Sequence, residues 1–103
     1  MNSLVRVARR FYALFMFNAK YIETYVLHYA QKLAPAKQSH APELLNLRYL
    51  ESGLLDSFSF LEMIADFEKK FSIQFSEQHL RSKAFGTFCG VIQSIKALVA
   101  ATS

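Results

Sequence analysis

The chain has 103 residues, which is the length of one ordinary domain and too short for two. Apolar residues make up 52% of it, with ten Phe but only three Gly and two Pro, so the composition excludes a disordered chain. The net charge of +4 is uneven, because residues 1–38 hold six basic and one acidic side chain (+5) and residues 39–103 hold six and seven (−1). The single Cys89 excludes an intrachain disulfide and a cysteine-rich zinc site, which fits a reducing, cytoplasmic setting.

The N-terminal third has the periodicity of a helix. Between Ser3 and Leu33 there is no Gly or Pro, and apolar residues recur at spacings of three, four or seven. This pattern predicts one long helix, or two helices that join near Asn18. The apolar run from Phe11 to Phe17 is too short to cross a bilayer and lacks the cleavage site of a signal peptide, so we treat it as part of the mature protein.

The middle of the chain contains a loop and then a second long helix. Two prolines in residues 34–42 predict a loop, residues 43–50 have the spacing of a short helical turn, and Gly53 ends that pattern. Several residues from 56 to 59 are good helix caps, and Ser59 with Glu62 matches a capping box. The helix is predicted to end before Ser72. Its predicted inward face is Phe60 or Leu61, Ile64, and Phe67 or Phe71.

The C-terminal third predicts a short helix and a long one. Ser76 can cap a short turn that runs through Leu80, residues 81–86 are predicted as a loop, and Thr87 can cap the last helix. The apolar side of that helix is Phe88, Val91, Ile92, Ile95 and Leu98. The sequence therefore predicts an all-α fold with three longer helices and one short helix.

A motif before the middle helix points to a family. The run Glu51-Ser52-Gly53-Leu54-Leu55-Asp56-Ser57-Phe58 resembles the attachment motif of acyl carrier proteins, the phosphopantetheine-binding carrier family. With Leu45-Asn46-Leu47, it is most similar to the stand-alone D-alanyl carrier proteins. The resemblance covers roughly residues 20–98. It implies an acyl-carrier-type four-helix bundle with a carrier domain over residues 20–103. The periodicity described above predicts an extended N-terminal helix over residues 1–19 ahead of that domain.

The resemblance also implies a cofactor and partners. Ser57 would carry 4′-phosphopantetheine from coenzyme A, beside Asp56, and the positive end of the helix would stabilise the phosphate. The arm would hold an acyl or aminoacyl group as a thioester. The implied partners are a phosphopantetheinyl transferase, an adenylate-forming ligase that loads the arm, and an acyltransferase or synthase that unloads it. The carrier itself would not be an enzyme.

Family members usually present an acidic middle helix to their enzymes. Glu62 and Glu68 fall where recognition carboxylates of the family tend to lie, and Asp66 adds a third carboxylate. Phe58 and Ala65 would flank the apolar centre of this docking surface. The alternative is an ordinary solvated charged face, because surface charges contribute mainly to encounter rate and specificity.

The N-terminal arm, residues 1–19, has no counterpart in the family pattern. It combines Arg6, Arg9 and Arg10 with aromatic residues that include Phe11 and Phe15. The arm could pack against a second copy or a partner enzyme, lie on an anionic membrane surface, or extend the protein's own core. Nucleic acid is disfavoured, because the basic residues are confined to one helix without a recognised binding module.

Two other functions remain as alternatives. The chain could be a carrier-fold interaction subunit that is never modified and docks a partner through its helices. An enzyme is disfavoured, because His28, His40 and His79 are scattered without a Cys or carboxylate at catalytic spacing, and no set of metal ligands is evident.

Overall fold

A computed structural model of the protein describes residues 18–35 and 40–102, and within them it is all-α. Three helices of 15 residues each form the body, and two five-residue helices and a 3₁₀ turn lie between them. In chain order these are α1 (Ala19–Leu33), α2 (Ala41–Leu45), α3 (Ser57–Phe71), α4 (Glu77–Arg81), the 3₁₀ turn (Lys83–Gly86) and α5 (Phe88–Thr102). The prediction of three longer helices is confirmed. The structure adds a second short helix, α2, which begins within the predicted loop 34–42 and covers only the first residues of the predicted helical turn 43–50. It also places a 3₁₀ turn in the predicted loop 81–86.

Side chains next to two of the long helices fix where those helices begin. The Asn18 Oδ1 atom accepts a hydrogen bond from the Tyr21 amide at 2.8 Å, so α1 begins at Ala19. The Thr87 Oγ1 atom accepts from the Gly90 amide at 3.1 Å, which confirms the predicted cap of α5. Residues 1–17 of the predicted arm, with Arg6, Arg9, Arg10, Phe11 and Phe15 among them, lie outside the described residues, whereas Asn18 caps α1 and Ala19 is its first residue. The separation of an arm from a carrier domain stays a prediction.

The cap of α3 differs from the predicted capping box. Asp56 has extended backbone angles, and its Oδ1 atom accepts from the Ser59 amide at 2.7 Å. Ser59 is therefore the third residue of the helix, and the capping box of Ser59 with Glu62 is wrong. Asp56 caps the helix because its short carboxylate reaches the amide of the third helical residue, which has no partner within the helix.

A capping box does occur at α4, with an unexpected second member. The Ser76 Oγ atom accepts from the His79 amide at 3.1 Å, and the Ser76 amide donates to Nδ1 of His79 at 3.0 Å. A ring nitrogen of His79 thus takes the place of the usual Glu or Gln. The prediction that Ser76 begins this helix is confirmed, and the helix continues one residue past Leu80.

The core lies between the long helices. The side chains of α3 that are buried are Met63, Ile64, Phe67 and Phe71, whereas Phe60 is half-buried and Leu61 is 57% exposed. Of the two predicted alternatives at the start of the inward face, Leu61 is wrong, and Met63 was missed. On α5 the predicted apolar side is confirmed, with Leu98 half-buried and Val99 added to the core.

The loop before α3 is fastened to the 3₁₀ turn. The Tyr49 amide donates to the Gly86 carbonyl oxygen at 3.2 Å, and Arg48 pairs with Thr87 in an isolated antiparallel bridge. The Tyr49 hydroxyl donates to the Phe85 carbonyl oxygen, and the Tyr49 carbonyl oxygen accepts from the Leu55 amide at 3.0 Å. These bonds hold residues 48–55 against the bundle and so position the start of α3.

Candidate functional site

Ser57 is exposed and is the first residue of α3. The preceding loop turns at Gly53, whose φ of +82° lies in the left-handed region that favours glycine. Leu55 follows and is only 2% exposed, so it anchors the loop in the core immediately before Asp56. The loop and the helix together place the Ser57 hydroxyl at the surface, at the positive end of a helix of about four turns.

Asp56 is the charged group next to Ser57, and its role is to cap the helix. The hydrogen bond from the Ser59 amide lowers the pKa of Asp56 below its usual range, with a further contribution from the Ser59 hydroxyl. The carboxylate is therefore ionised at neutral pH and is already engaged by the backbone. In the loop before α3, the pKa of Glu51 is lowered as well, because the Arg48 guanidinium bonds to its carboxylate at 2.7 Å.

An exposed apolar stripe runs along α3 from the residue after Ser57. Phe58 is 72% exposed and Leu61 is 57% exposed, and Ala65 is exposed as well. Their spacing of three and four residues puts them on one face of the helix. Phe58 and Ala65 were predicted there, whereas Leu61 was missed because it was considered a core candidate. Its spacing of three residues from Phe58 is the signal that could have found it.

The three predicted docking carboxylates have different surroundings. Glu62 is exposed, whereas Asp66 and Glu68 are half-buried. The Asp66 Oδ2 atom accepts from the Tyr25 hydroxyl at 2.9 Å, and the Glu68 Oε2 atom accepts from the Phe75 amide at 2.8 Å. Asp66 therefore joins α3 to α1, and Glu68 holds the segment between α3 and α4. A docking role for these residues stays a prediction.

Tyr25 has a shifted pKa at the contact between α1 and α3. Burial raises the pKa of Tyr25 to about 12, and the hydrogen bond to Asp66 adds to this effect. The Lys70 ammonium lies 5.1 Å from the centre of the Tyr25 ring and 5.4 Å from that of Tyr21. This cluster is a helix contact rather than a set of groups arranged for proton transfer.

A surface cleft of about 370 Å³ lies along α1 and includes Tyr25, the hydrogen-bond partner of Asp66. Its lining is Tyr25, His28, Tyr29, Gln31 and Lys32.

In the described part of the chain, no three His, Cys, Asp or Glu side chains are grouped so that they could hold a metal ion. No helix within that part is long and apolar enough to cross a bilayer, and the run from Phe11 to Phe17 lies outside it.

The residues around Ser57 fit the attachment of a phosphopantetheine group. The side chain is exposed, so a transferase can reach its hydroxyl, and the phosphate would lie at a helix N-terminus. The capping carboxylate of Asp56 is held by the Ser59 amide and is directed into the first turn of the helix.

The chain matches no family model, and no curated protein and no solved structure shows significant similarity to it.

Proposed function

We propose that this protein is a carrier, with Ser57 as the attachment point of a 4′-phosphopantetheine arm. The observation that carries the proposal is the exposed Ser57 at the first position of α3, directly after the capping Asp56. The resemblance of residues 51–58 to the carrier attachment motif supports it. In this proposal the protein supplies an address and a tether, and its partners supply the catalysis.

Ser57 acts as the nucleophile when the arm is attached. Its oxygen forms a bond to the phosphorus next to the pantetheine of coenzyme A, and adenosine 3′,5′-bisphosphate leaves. The serine proton passes to a base on the transferase. The positive end of α3 then stabilises the phosphodiester. When bound, the group supplies a terminal thiol that holds an acyl or aminoacyl group as a thioester.

The apolar stripe beside Ser57 supports docking of the implied partners. When a partner covers a side chain as large and as exposed as Phe58, the burial of apolar surface stabilises the complex. Leu61 extends the same surface. Glu62 lies next to the stripe and would favour a basic surface on the partner. The partners in this proposal are a phosphopantetheinyl transferase, a loading ligase, and an acyltransferase or synthase.

Mass spectrometry tests the proposal directly. We expect the full chain to gain the mass of one phosphopantetheine group after incubation with coenzyme A and a broad-specificity transferase. Ser57→Ala should abolish the gain. Ser59→Ala is the matched control, because it removes a hydroxyl two residues away but keeps the amide that Asp56 caps. The proposal is wrong if the wild-type chain gains no mass, or if the gain survives Ser57→Ala.

A second candidate function is an interaction subunit that is never modified. The 72% exposure of Phe58 favours this function too, because covering the exposed ring requires a partner but no modification of Ser57. Ser57→Ala would then bind the partner as well as the wild type does, whereas Phe58→Ser would lose it. Copurification of partners with both variants therefore separates the two functions when it is compared with the mass measurement. A partner retained by Ser57→Ala, together with no mass gain in the wild type, indicates an interaction subunit.

The N-terminal arm, residues 1–19, is proposed as an interface with a second copy or an anionic membrane surface. Its charge supports the proposal, since Arg6, Arg9 and Arg10 are accompanied by Phe11 and Phe15. Light scattering of the full chain detects association with a second copy, and flotation with vesicles that contain anionic lipid detects membrane binding. Replacing the three arginines with glutamine should weaken vesicle binding if the membrane is the partner.

A further inference from the structure

The cap of α4 depends on whether one ring nitrogen carries a proton. The Ser76 amide donates to Nδ1 of His79 at 3.0 Å, and the Ser76 Oγ atom lies 2.7 Å from the same nitrogen. A backbone amide can only donate a hydrogen bond, so Nδ1 of His79 carries no proton in this arrangement. The Glu or Gln of an ordinary capping box keeps its acceptor between about pH 5 and 8, whereas a histidine changes charge over that range.

Protonation would remove this acceptor from the start of α4. In the imidazolium form both ring nitrogens carry a proton and can only donate, so the N–H of Nδ1 would point at the N–H of Ser76. The Ser76 Oγ atom offers no full replacement, because it already accepts from the His79 amide at 3.1 Å. The cation would also lie in the first turn of the helix, where the free amides of the backbone disfavour positive charge.

Both ends of α4 are fastened at His79. Its ring bonds to Ser76 at the first end, and at the other end its carbonyl oxygen accepts from the Ser82 amide at 3.2 Å and from the Ser82 hydroxyl at 3.0 Å. None of the five residues of α4 is buried, and the ion pair between Glu77 and Arg81 is exposed, so it contributes little. Because a helix this short is not stable in water by itself, loss of the bond to the ring should open it.

The His79 ring is packed against two aromatic rings. The side chain is half-buried, and its ring centre lies 6.1 Å from that of Phe75 and 6.3 Å from that of Phe85. These distances are at the limit of the range in which an aromatic ring attracts a cation. Partial burial away from water therefore disfavours the charged form of His79, and the two rings do not compensate for it.

The charged groups around His79 do not offset a positive charge on its ring either. Those of α4, of the end of α3 and of the 3₁₀ turn, with the side chain that bonds to that turn, are Glu77, Arg81, Glu68, Lys69, Lys83 and Arg48. Glu77 pairs with Arg81 at 2.6 Å, and Glu68 accepts from the Phe75 amide at 2.8 Å. Both carboxylates are thus engaged elsewhere, and the other four groups are basic.

We propose that His79 is an acid-sensitive cap, and that protonation of its ring opens α4 while the long helices remain folded. The caps of the long helices do not respond in this way, because Asn18, Asp56 and Thr87 do not change charge between about pH 5 and 8. Acidification through this range therefore changes one short element of the fold. The proposal does not require modification of Ser57.

An NMR titration of the full, unmodified chain from about pH 7.5 to about pH 5.5 tests the proposal. We expect the Ser76 amide signal to shift with the same midpoint as the His79 ring signals. The Leu80 amide bonds to the Ser76 carbonyl oxygen within the helix, so its exchange with water reports the opening of α4. After correction for the intrinsic rate at each pH, we expect this exchange to become about fivefold faster, the usual effect of losing a capping bond.

His79→Gln and His28→Gln form a matched pair of variants. Gln at position 79 can accept from the Ser76 amide but does not titrate, so we expect the corrected Leu80 exchange to be the same at both pH values. His28 is exposed on α1 and takes no part in a cap, so His28→Gln should keep the acid response of the wild type. If circular dichroism shows that His79→Gln does not fold, His79→Glu replaces it.

The outcomes either support the proposal or overturn it. It is overturned if the Ser76 signal does not follow the His79 ring, if the corrected Leu80 exchange in the wild type is the same at both pH values, or if the acid response survives in folded His79→Gln. Loss of the signals of α3 and α5 together with those of α4 also overturns it, because the opening would then be global. An acid response that is confined to residues 76–82 and abolished by His79→Gln supports the proposal.

Discussion

Single polar side chains on α3 join it to elements that are distant in sequence. Asp66 accepts a hydrogen bond from Tyr25, which is 41 residues earlier in the chain, and Glu68 accepts one from the Phe75 amide. Both carboxylates are half-buried, so these bonds are stronger than exposed ones. At the scale of the residue, charges that look like a solvated face in the sequence are partly structural.

Tyr25→Phe tests the contribution of the bond to Asp66. We expect it to lower the free energy of unfolding by about 1 kcal/mol at neutral pH, because a partly exposed hydrogen bond to a charged acceptor is lost. Tyr29→Phe is the control, since the Tyr29 ring also packs on Phe67. Urea denaturation measures both. An equal effect of the two substitutions would contradict the assignment.

The raised pKa of Tyr25 also predicts a dependence on alkaline pH. Its pKa is about 12 in the folded state, against an ordinary value of 10, so the unfolded state loses its proton first as pH rises. The stabilising contribution is fully present below pH 10 and is lost as pH rises through about 12. The free energy of unfolding should therefore fall less steeply over this range in Tyr25→Phe than in the wild type.

At the scale of the element, α5 and the 3₁₀ turn make an unusually close approach. A Cβ atom built at Gly90 would lie 1.5 Å from the Ala84 carbonyl oxygen, which belongs to the backbone. A Cβ atom at Gly86 would lie 2.5 Å from the Arg48 guanidinium, the end of a flexible and exposed side chain. The packing therefore requires glycine at position 90. At position 86 the Arg48 side chain can move and make room for a Cβ atom.

Gly90→Ala and Gly86→Ala form a matched pair. We expect Gly90→Ala to cost about 3 kcal/mol or more, because the 3₁₀ turn must shift away from α5. Gly86→Ala should cost about 1 kcal/mol or less, because Arg48 can turn into solvent. Chemical denaturation of both variants checks this. A stabilising Gly90→Ala, as helix propensity alone would favour, would show that the close approach is wrong.

At the scale of the whole molecule, buried rings connect the long helices. Phe67 of α3 is fully buried, and its ring centre lies 6.0 Å from that of Tyr25 and 5.1 Å from that of Tyr29, both on α1. The ion pair between Lys96 of α5 and Glu23 of α1 joins the same bundle at its surface, with an N···O distance of 2.5 Å. Burial should dominate over the ion pair, because exposed charges are well solvated in the unfolded chain.

Phe67→Ala and Lys96→Ala measure this difference. We expect Phe67→Ala to cost about 3 to 5 kcal/mol, the usual range for a large cavity in a core. Lys96→Ala should cost less than about 1 kcal/mol, and less still at high salt. Comparable losses in the two variants would contradict the dominance of the aromatic core. If Phe67→Ala does not fold, Phe67→Leu provides the smaller cavity.

The sequence by itself determined the helical fold and the caps of two helices, Ser76 for α4 and Thr87 for α5. Asn18, Asp56, Ser76 and Thr87 each accept a hydrogen bond from the amide of the third residue further on. Such bonds depend only on the local chain, so residue types and spacing narrow the candidates, although at α3 they favoured Ser59 and the structure uses Asp56. The helical periodicity of the apolar residues is likewise local, which is why the inward face of α5 was predicted correctly.

Only the tertiary structure decided which side chains of α3 face the core and what its carboxylates contact. Phe60 and Leu61 fit the periodicity equally well, and the packing of α1 and α5 against α3 leaves Leu61 exposed and buries Met63. Tyr49 lies beyond the end of α2, in a segment whose apolar spacing predicted a helical turn, and its hydroxyl bonds to the Phe85 carbonyl 36 residues later. These contacts depend on how helices far apart in the chain pack together, and no spacing along one segment contains that information.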